Sequence, residues 1–273
     1  MTSKFCVVGS PIAHSLSPTL HAAAYKHLQL DFSYEAHEVA PGNLGKFLDN
    51  YDFQGVSVTM PLKSEAFELA LERTGQATLT QAANTLIRKR AGWSASNTDI
   101  YGLAQALKSV TAASSTTIIG AGATTHSALT ALSELFPRTR VTVMARDQLA
   151  VDKSVEFGRS LGLEVTGSSA SAKVITTSEL VLSLVPAGSF VDTWSEVSKD
   201  QAARNGWLFD ATYNPWPTLP ATSWGGQRVI SGLEMLIWQA IEQVALFAAS
   251  VGHELELDRP ALYTVMKQAL SNN

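Results

Sequence analysis

Thr116-Thr117-Ile118-Ile119-Gly120-Ala121-Gly122-Ala123-Thr124-Thr125-His126-Ser127-Ala128-Leu129 is the stretch that decides the fold. A β-branched run enters Gly-Ala-Gly and leaves into an alanine- and leucine-rich helical pattern, the strand–turn–helix order of a dinucleotide site. Gly120 permits the tight turn, and Gly122 lets the backbone approach a pyrophosphate. The helix N-terminus offers its unpaired N–H groups to that anion. Thr125 fills the third glycine position, which predicts slightly looser packing of helix on strand. A second apolar strand, Val141-Thr142-Val143-Met144, follows at the spacing of a βαβ unit. It weighs against the plainer reading, a βα turn that binds nothing.

That second strand ends in Ala145-Arg146-Asp147, where the adenosine ribose is expected. An acidic side chain there hydrogen-bonds the 2′-hydroxyl and repels a 2′-phosphate, whereas an arginine forks onto the phosphate. Arg146 therefore favours NADP, and Asp147 beside it keeps NAD open. The alternative for Arg146 is an ordinary solvated charge at a strand end.

A chain of 273 residues has room for two modest domains with their own cores. Its net charge of −4 gives no reason to expect nucleic acid or an anionic membrane surface. No apolar run approaches the ~20 residues of a membrane span, and the apolar start breaks too early, at Gly9 and Pro11, for a signal sequence. The single cysteine, Cys6, excludes an intrachain disulfide and falls in a predicted buried strand. A reducing, cytoplasmic setting is expected.

Phe5–Val8 reads as the first strand. Ser17-Pro18 after it reads as an N-cap and first helical residue, with Leu20, Ala24 and Leu28 as the buried stripe. Ser15 and Ser17 stand between strand and helix, where two hydroxyls can cradle a small carboxylate; taken locally, Ser17 only caps and Ser15 only turns. Phe32–Val39 and Gly55–Thr59 are further strands. Met60-Pro61-Leu62-Lys63 then opens a helix with Ala66, Phe67 and Ala70 inside. Lys63 thus lies at the positive end of a helix dipole, an unfavourable place for an ammonium group. A residue that gives up its proton fits there, and so does a lysine reaching out to solvent. Ala91-Gly92-Trp93 suits a hairpin, and Asp99 heads the next helix, where an N-cap is the commonest role of Asp. These alternating elements predict a small α/β domain with its own sheet.

Ser109–Ser115 connects to the nucleotide-binding half, which continues through a helix at Lys153–Leu161 and a short strand near Glu164-Val165. Strands at Glu179–Pro186, Trp207–Tyr213 and Gln227–Gly232 follow. Asn214-Pro215-Trp216-Pro217-Thr218 is a loop, a long apolar helix runs from Gly232 to about Val251, and a last helix spans Arg259–Leu270.

Together these pieces resemble the shikimate dehydrogenase family, with its related quinate/shikimate dehydrogenases. Gly9-x-Pro11-Ile12-x-His14-Ser15-x-Ser17-Pro18-x-x-His21 and Val58-Thr59-x-Pro61-x-Lys63 are similar to its N-terminal motifs. Ala83-Asn84-Thr85, Asn97-Thr98-Asp99-x-x-Gly102, Gly120-Ala121-Gly122, Tyr213-Asn214-Pro215 and Gly232-Leu233-Glu234-Met235-Leu236 with Gln239 complete the order. The sequence departs from the family at Ser57, where Asn is common, at Ala22, in the Ala123-Thr124-Thr125 loop, and at Ala145, where Asn is usual. The resemblance implies an α/β protein of two domains: a substrate domain of residues 1–103 plus 236–273 and a Rossmann-type domain of residues 104–235. It implies that Lys63 and Asp99 are the catalytic pair. Ser15 and Ser17 would hold a substrate carboxylate, and Thr59, Asn84, Asp99 and Gln239 the ring hydroxyls, with Tyr213 nearby. Gly120, Ala121, Gly122, Ala123, Arg146 and Gly232 would contact NADP, and no metal is called for. The implied reaction is reversible reduction of 3-dehydroshikimate to shikimate, in aromatic amino acid and chorismate biosynthesis, by a monomer or homodimer. Two readings stand beside it: a quinate/shikimate enzyme preferring NAD, and a non-catalytic NADP-binding regulator of the same fold.

Overall fold

The computed structural model describes residues 2–199, 206–225 and 228–271. Contacts between Cα atoms divide the chain into two compact units, Met1–Gly102 with Leu236–Asn273, and Leu103–Met235.

The first unit holds strands β1 (Ser3–Gly9), β2 (Phe32–Glu38), β3 (Gly55–Val58), β4 (Glu72–Arg73), β5 (Thr85–Lys89) and β6 (Gly92–Ser96). Between them lie helices α1 (Ser17–His27), α2 (Leu44–Asn50), α3 (Lys63–Leu69) and α4 (Gly75–Thr80), and α5 (Asp99–Ala106) follows. The strands form one sheet in the order β2-β1-β3-β5-β6-β4. β1 runs parallel to β2 and β3, whereas β5 is antiparallel to both β3 and β6. The C-terminal ends of β1, β3 and β6 and the N-terminal end of β5 therefore meet at one end of the sheet. Ser15, Ser17, Thr59, Lys63, Asn84 and Asp99 each follow or precede one of those four ends. Phe5, Cys6, Val7 and Val8 are buried, as expected of a strand flanked on both sides. Burial also pushes the Cys6 thiol well above its usual range, which makes it a core residue rather than a nucleophile.

α1 begins at Ser17, but Leu16 occupies its N-cap position and no side chain caps it. The expected Ser17 cap is thus corrected: Ser17 is the first helical residue and starts the buried face that carries Leu20, His21, Ala24 and Tyr25. His21 is fully buried, stacks on Tyr34 with centroids 3.9 Å apart, and its Nδ1 lies 3.0 Å from the Tyr25 hydroxyl. Gln243 lies nearby, but the geometry gives Nε2 no hydrogen bond. Desolvation lowers its pKa to about 3. The unfolded chain binds a proton on this imidazole below about pH 6.5, and the folded chain does not until about pH 3. Stability should therefore fall with acid between those values, by about 1.4 kcal/mol per pH unit from this group. Denaturant titrations at pH 6 and pH 4.5 should show that slope in the wild type and a smaller one in His21→Phe.

The second unit holds β7 (Ser115–Ile119), β8 (Arg140–Met144), β9 (Glu164–Ser168), β10 (Leu180–Ser183), β11 (Trp207–Asp210) and β12 (Val229–Ser231). All pairs are parallel, in the order β12-β11-β10-β7-β8-β9. Read in chain order this is 3-2-1-4-5-6, the doubly wound arrangement of Rossmann folds, with its topological switch between β7 and β10. The α/β class is as expected. α6 (Ala123–Leu135), α7 (Gln148–Ser160), α8 (Ala172–Thr176), α9 (Val191–Lys199) and α10 (Leu219–Trp224) connect the strands. The expected strands at Glu179–Pro186 and Trp207–Tyr213 are shorter, ending at Ser183 and Asp210. Of the expected Gln227–Gly232 strand, Val229–Ser231 is formed and Gln227 lies outside the described residues. α10 follows directly on the expected Asn214–Thr218 loop, in a stretch for which no element was expected: the Thr218 hydroxyl accepts from the Ala221 N–H at 3.1 Å, and Pro220 sits in the first turn, where a missing N–H costs nothing.

α11 (Gly232–Ser250) and α12 (Arg259–Ser271) return the chain to the first unit, and α12 packs on α1. Among the described residues no helix is long and apolar enough to cross a membrane.

Candidate active site

Lys63 and Asp99 are the first residues of α3 and α5, which follow the C-terminal ends of β3 and β6. Those two strands flank β5, and Asn84 immediately precedes β5. Ser57, Thr85 and Ser96 lie in register across the three strands, so the loops beyond them converge. The backbone fixes the convergence: Asn84 N–H donates to Ser96 O at 3.1 Å, Val58 N–H to Asn84 O at 2.7 Å, and Ala83 N–H to Lys63 O at 2.9 Å. The start of α3 is held from its outer side as well, since the Glu65 carboxylate accepts from Gly42 N–H and Leu44 N–H at 2.8 and 2.9 Å.

The Lys63 ammonium donates to Asp99 Oδ2 at 2.5 Å, with the two side chains 13% and 5% exposed. This answers the charge's unfavourable place at the α3 N-terminus. A carboxylate from the start of another helix, where negative charge is favoured, neutralises it. Neither local alternative holds. Lys63 does not reach out to solvent, and Asp99, the first residue of α5, turns its carboxylate to Lys63 and Asn84, while its own N–H is satisfied by Asn97 Oδ1 at 3.1 Å. The second carboxylate oxygen, Oδ1, accepts from Asn84 Nδ2 at 2.8 Å. Asn84 is a hub: Nδ2 also lies 2.8 Å from Thr98 Oγ1 and 3.2 Å from Gln239 Oε1, while Oδ1 accepts from the Thr98 N–H at 2.8 Å. Gln239 comes from α11 and donates to Leu236 O at 2.8 Å. Lys63, Asn84, Asp99 and Gln239 are thus one buried polar cluster, three of them less than 8% exposed.

Ser15 and Ser17 stand beyond the C-terminal end of β1, and the Ser15 hydroxyl accepts from the Ser17 N–H at 3.3 Å. Thr59 follows β3; its N–H donates to Val8 O at 2.9 Å, and a Cβ on Gly9 would come within 2.4 Å of its Cγ2. Gly9 is therefore required for β1 and the Thr59 loop to lie this close. The sequence missed three polar residues of this region. Thr98 lies inside a recognised motif, whereas Ser57 and Gln243 are buried with partners distant along the chain; the one available signal for Gln243 is its place one turn after Gln239 on a largely apolar helix.

In the second unit, Gly120 ends β7 with φ +123°, and a Cβ there would meet Leu184 O at 3.0 Å. Gly122 occupies the N-cap of α6 with no side-chain cap, and a Cβ on it would meet nothing within 4 Å. An open turn of Gly120, Ala121, Gly122 and Ala123 thus leads into an uncapped 13-residue helix, which fits a pyrophosphate. Thr125 is buried, and its hydroxyl has no hydrogen-bond partner. Arg146 is exposed just beyond β8. Asp147 is the N-cap of α7, accepting from Leu149 and Ala150 N–H groups at 3.0 and 3.3 Å. Gly232 starts α11 so close to β11 that a Cβ would fall 2.0 Å from Ala211 O. Tyr213 is half-buried and belongs to this second unit.

Fold and site define the class: a dehydrogenase of two α/β units, one with the doubly wound sheet and glycine turn of dinucleotide binding, the other with a buried lysine–aspartate pair. The family model described as the shikimate dehydrogenase substrate binding domain matches residues 7–86. The shikimate dehydrogenase (NADP(+)) of Crocosphaera subtropica is 32% identical over 291 aligned residues, spanning 100% of this chain and 96% of that one. The crystal structure of Mycobacterium tuberculosis shikimate dehydrogenase superposes with a TM-score of 0.84 at 37% identity, covering 97% of this chain and 99% of that one. A Thermus thermophilus shikimate 5-dehydrogenase, solved in complex with NADP(H) and shikimate, gives 0.77 at 25% identity, covering 98% and 100%. The chain belongs to the shikimate dehydrogenase family.

Proposed function

We propose that this chain is an NADP-dependent shikimate dehydrogenase, interconverting shikimate plus NADP+ and 3-dehydroshikimate plus NADPH. The observation that carries the reading is the Lys63–Asp99 pair, assembled at one end of the first sheet and held by Asn84. The Gly120–Ala123 turn would hold the pyrophosphate of NADP and Arg146 its 2′-phosphate, and the cofactor held there would supply or take up the hydride. The chain's own residues do the rest. Ser15 and Ser17 donate to the substrate carboxylate and so set the direction of the ring. Asn84, Gln239 and Thr59 bond ring hydroxyls, with Tyr213 as a further contact. Lys63 gives a proton to the oxygen of the carbonyl being reduced and takes it back in the reverse direction. Asp99 keeps the ammonium group aimed at that oxygen and accepts from a neighbouring hydroxyl.

The NAD-preferring alternative is the weaker one, because Asp147 Oδ1 already accepts two N–H groups of α7 while Arg146 stands exposed beside it. An assembled lysine–aspartate pair likewise speaks against a non-catalytic regulator. A matrix of initial rates, shikimate and quinate against NADP+ and NAD+, tests the proposal: the shikimate–NADP+ cell should dominate, and absorbance silent in all four would refute it. Arg146→Ala should raise the KM for NADP+ by roughly 10–100-fold, the scale of lost charge-assisted hydrogen bonds, and leave that for NAD+ nearly unchanged. In a cell the reaction would serve chorismate and aromatic amino acid synthesis in the cytoplasm. A monomer or homodimer is part of the same proposal, readable by light scattering.

A further inference from the structure

Gln243 lies one turn beyond Gln239 on α11, is 1% exposed, and uses every hydrogen-bonding group of its amide. Its Nε2 donates to Asn84 O and to Thr85 Oγ1, both at 3.0 Å. Its Oε1 accepts from Ser57 Oγ at 2.8 Å, and the Ser57 hydroxyl in turn accepts from the Tyr34 hydroxyl at 2.7 Å. The amide orientation is determined, since a flipped side chain would set its oxygen against the Asn84 carbonyl oxygen. Thr85 Oγ1, having accepted from Gln243, donates to Asn84 Oδ1 at 2.9 Å. Asn84 is thus gripped twice from Gln243, through its main-chain oxygen and through its side chain. The opposite end of the same amide holds Asp99 Oδ1, and Asp99 holds Lys63.

Resting on the reading of Lys63 and Asp99 given above, we propose that Gln243 is a positioning residue for this reaction: it touches neither substrate nor cofactor and sets the orientation of the lysine–aspartate pair through Asn84. A buried amide of this kind can be a device for core stability alone, and the two roles separate experimentally. A displacement of about 1 Å at a reacting group can cost about 100-fold in rate, whereas a purely structural amide leaves kcat alone in whatever fraction folds.

The test uses Gln243→Met, which keeps the shape and loses all three bonds, and Gln243→Glu, which keeps the acceptor toward Ser57 and loses both donors. In both, kcat for shikimate oxidation should fall about tenfold or more while the KM for NADP+ stays within about twofold, the glutamate failing to rescue. In lysine-labelled protein without substrate, the Nζ resonance of Lys63 should shift and exchange faster with water in both variants. Thr85→Val, isosteric and lacking only the hydroxyl link, should move kcat and the resonance in the same direction, and decides the matter if the Gln243 variants do not fold. An unchanged kcat, or a reduced kcat with the Lys63 resonance unmoved, would overturn the proposal. Wild-type protein inactive on shikimate would instead overturn the substrate reading, and the resonance would still decide the role of Gln243.

Discussion

Lys63→Ala is expected to lower kcat for shikimate oxidation by roughly 10²-fold or more, the range of a positioned acid–base group. Alanine leaves the oxygen without a proton partner in either direction. The KM for NADP+ should hardly change, because the glycine turn and Arg146 belong to the other unit of the chain. Lys63→Arg should remain nearly as slow as the alanine variant. A guanidinium group keeps the positive charge and the bond to Asp99 but does not release its proton near neutral pH. Steady-state rates at saturating NADP+ read both variants, and a lysine that only neutralised charge would be rescued by arginine.

Asp99→Asn carries the second large effect, and it falls on stability and rate together. The substitution keeps the shape and removes the charge that faces the Lys63 ammonium, which is only 13% exposed. Leaving that cation unpaired should cost about 3 kcal/mol of folding free energy, the scale found when one partner of a buried pair is removed. An asparagine also turns one of its own N–H groups toward Lys63 or toward Asn84, so the ammonium loses its aim, and kcat should fall on the same 10² scale. Because the two residues act as a unit, the double variant with Lys63→Ala should be no slower than Lys63→Ala alone. Urea titration gives the first quantity and initial rates the second; two losses that multiplied would mean that Asp99 and Lys63 work separately.

Legibility in the sequence followed the range of the interaction. The turn at Gly120 and the apolar βαβ run were readable because each is specified by neighbours along the chain. Lys63 and Asp99 are 36 residues apart, and nothing local says that they meet. Their pairing follows from β5 lying antiparallel between β3 and β6, and only the resemblance of the motifs pointed to it beforehand. Ser17 and Asp147 show how a cap can be misassigned: α1 starts with Leu16 at its cap position, whereas α7 takes Asp147, a residue that the nucleotide reading had left open for a ribose. Gln243 stayed hidden for the opposite reason. Its partners are a main-chain oxygen and two hydroxyls from β3 and β5, none of which leaves a pattern on the helix that bears it.

The most direct test is the structure of this protein crystallised with shikimate and NADP+. The ring carboxylate is expected on the hydroxyls of Ser15 and Ser17, with one ring hydroxyl within hydrogen-bond reach, about 2.6–3.2 Å, of Lys63 Nζ. A ring bound with all of its hydroxyls beyond reach of that nitrogen would contradict the account.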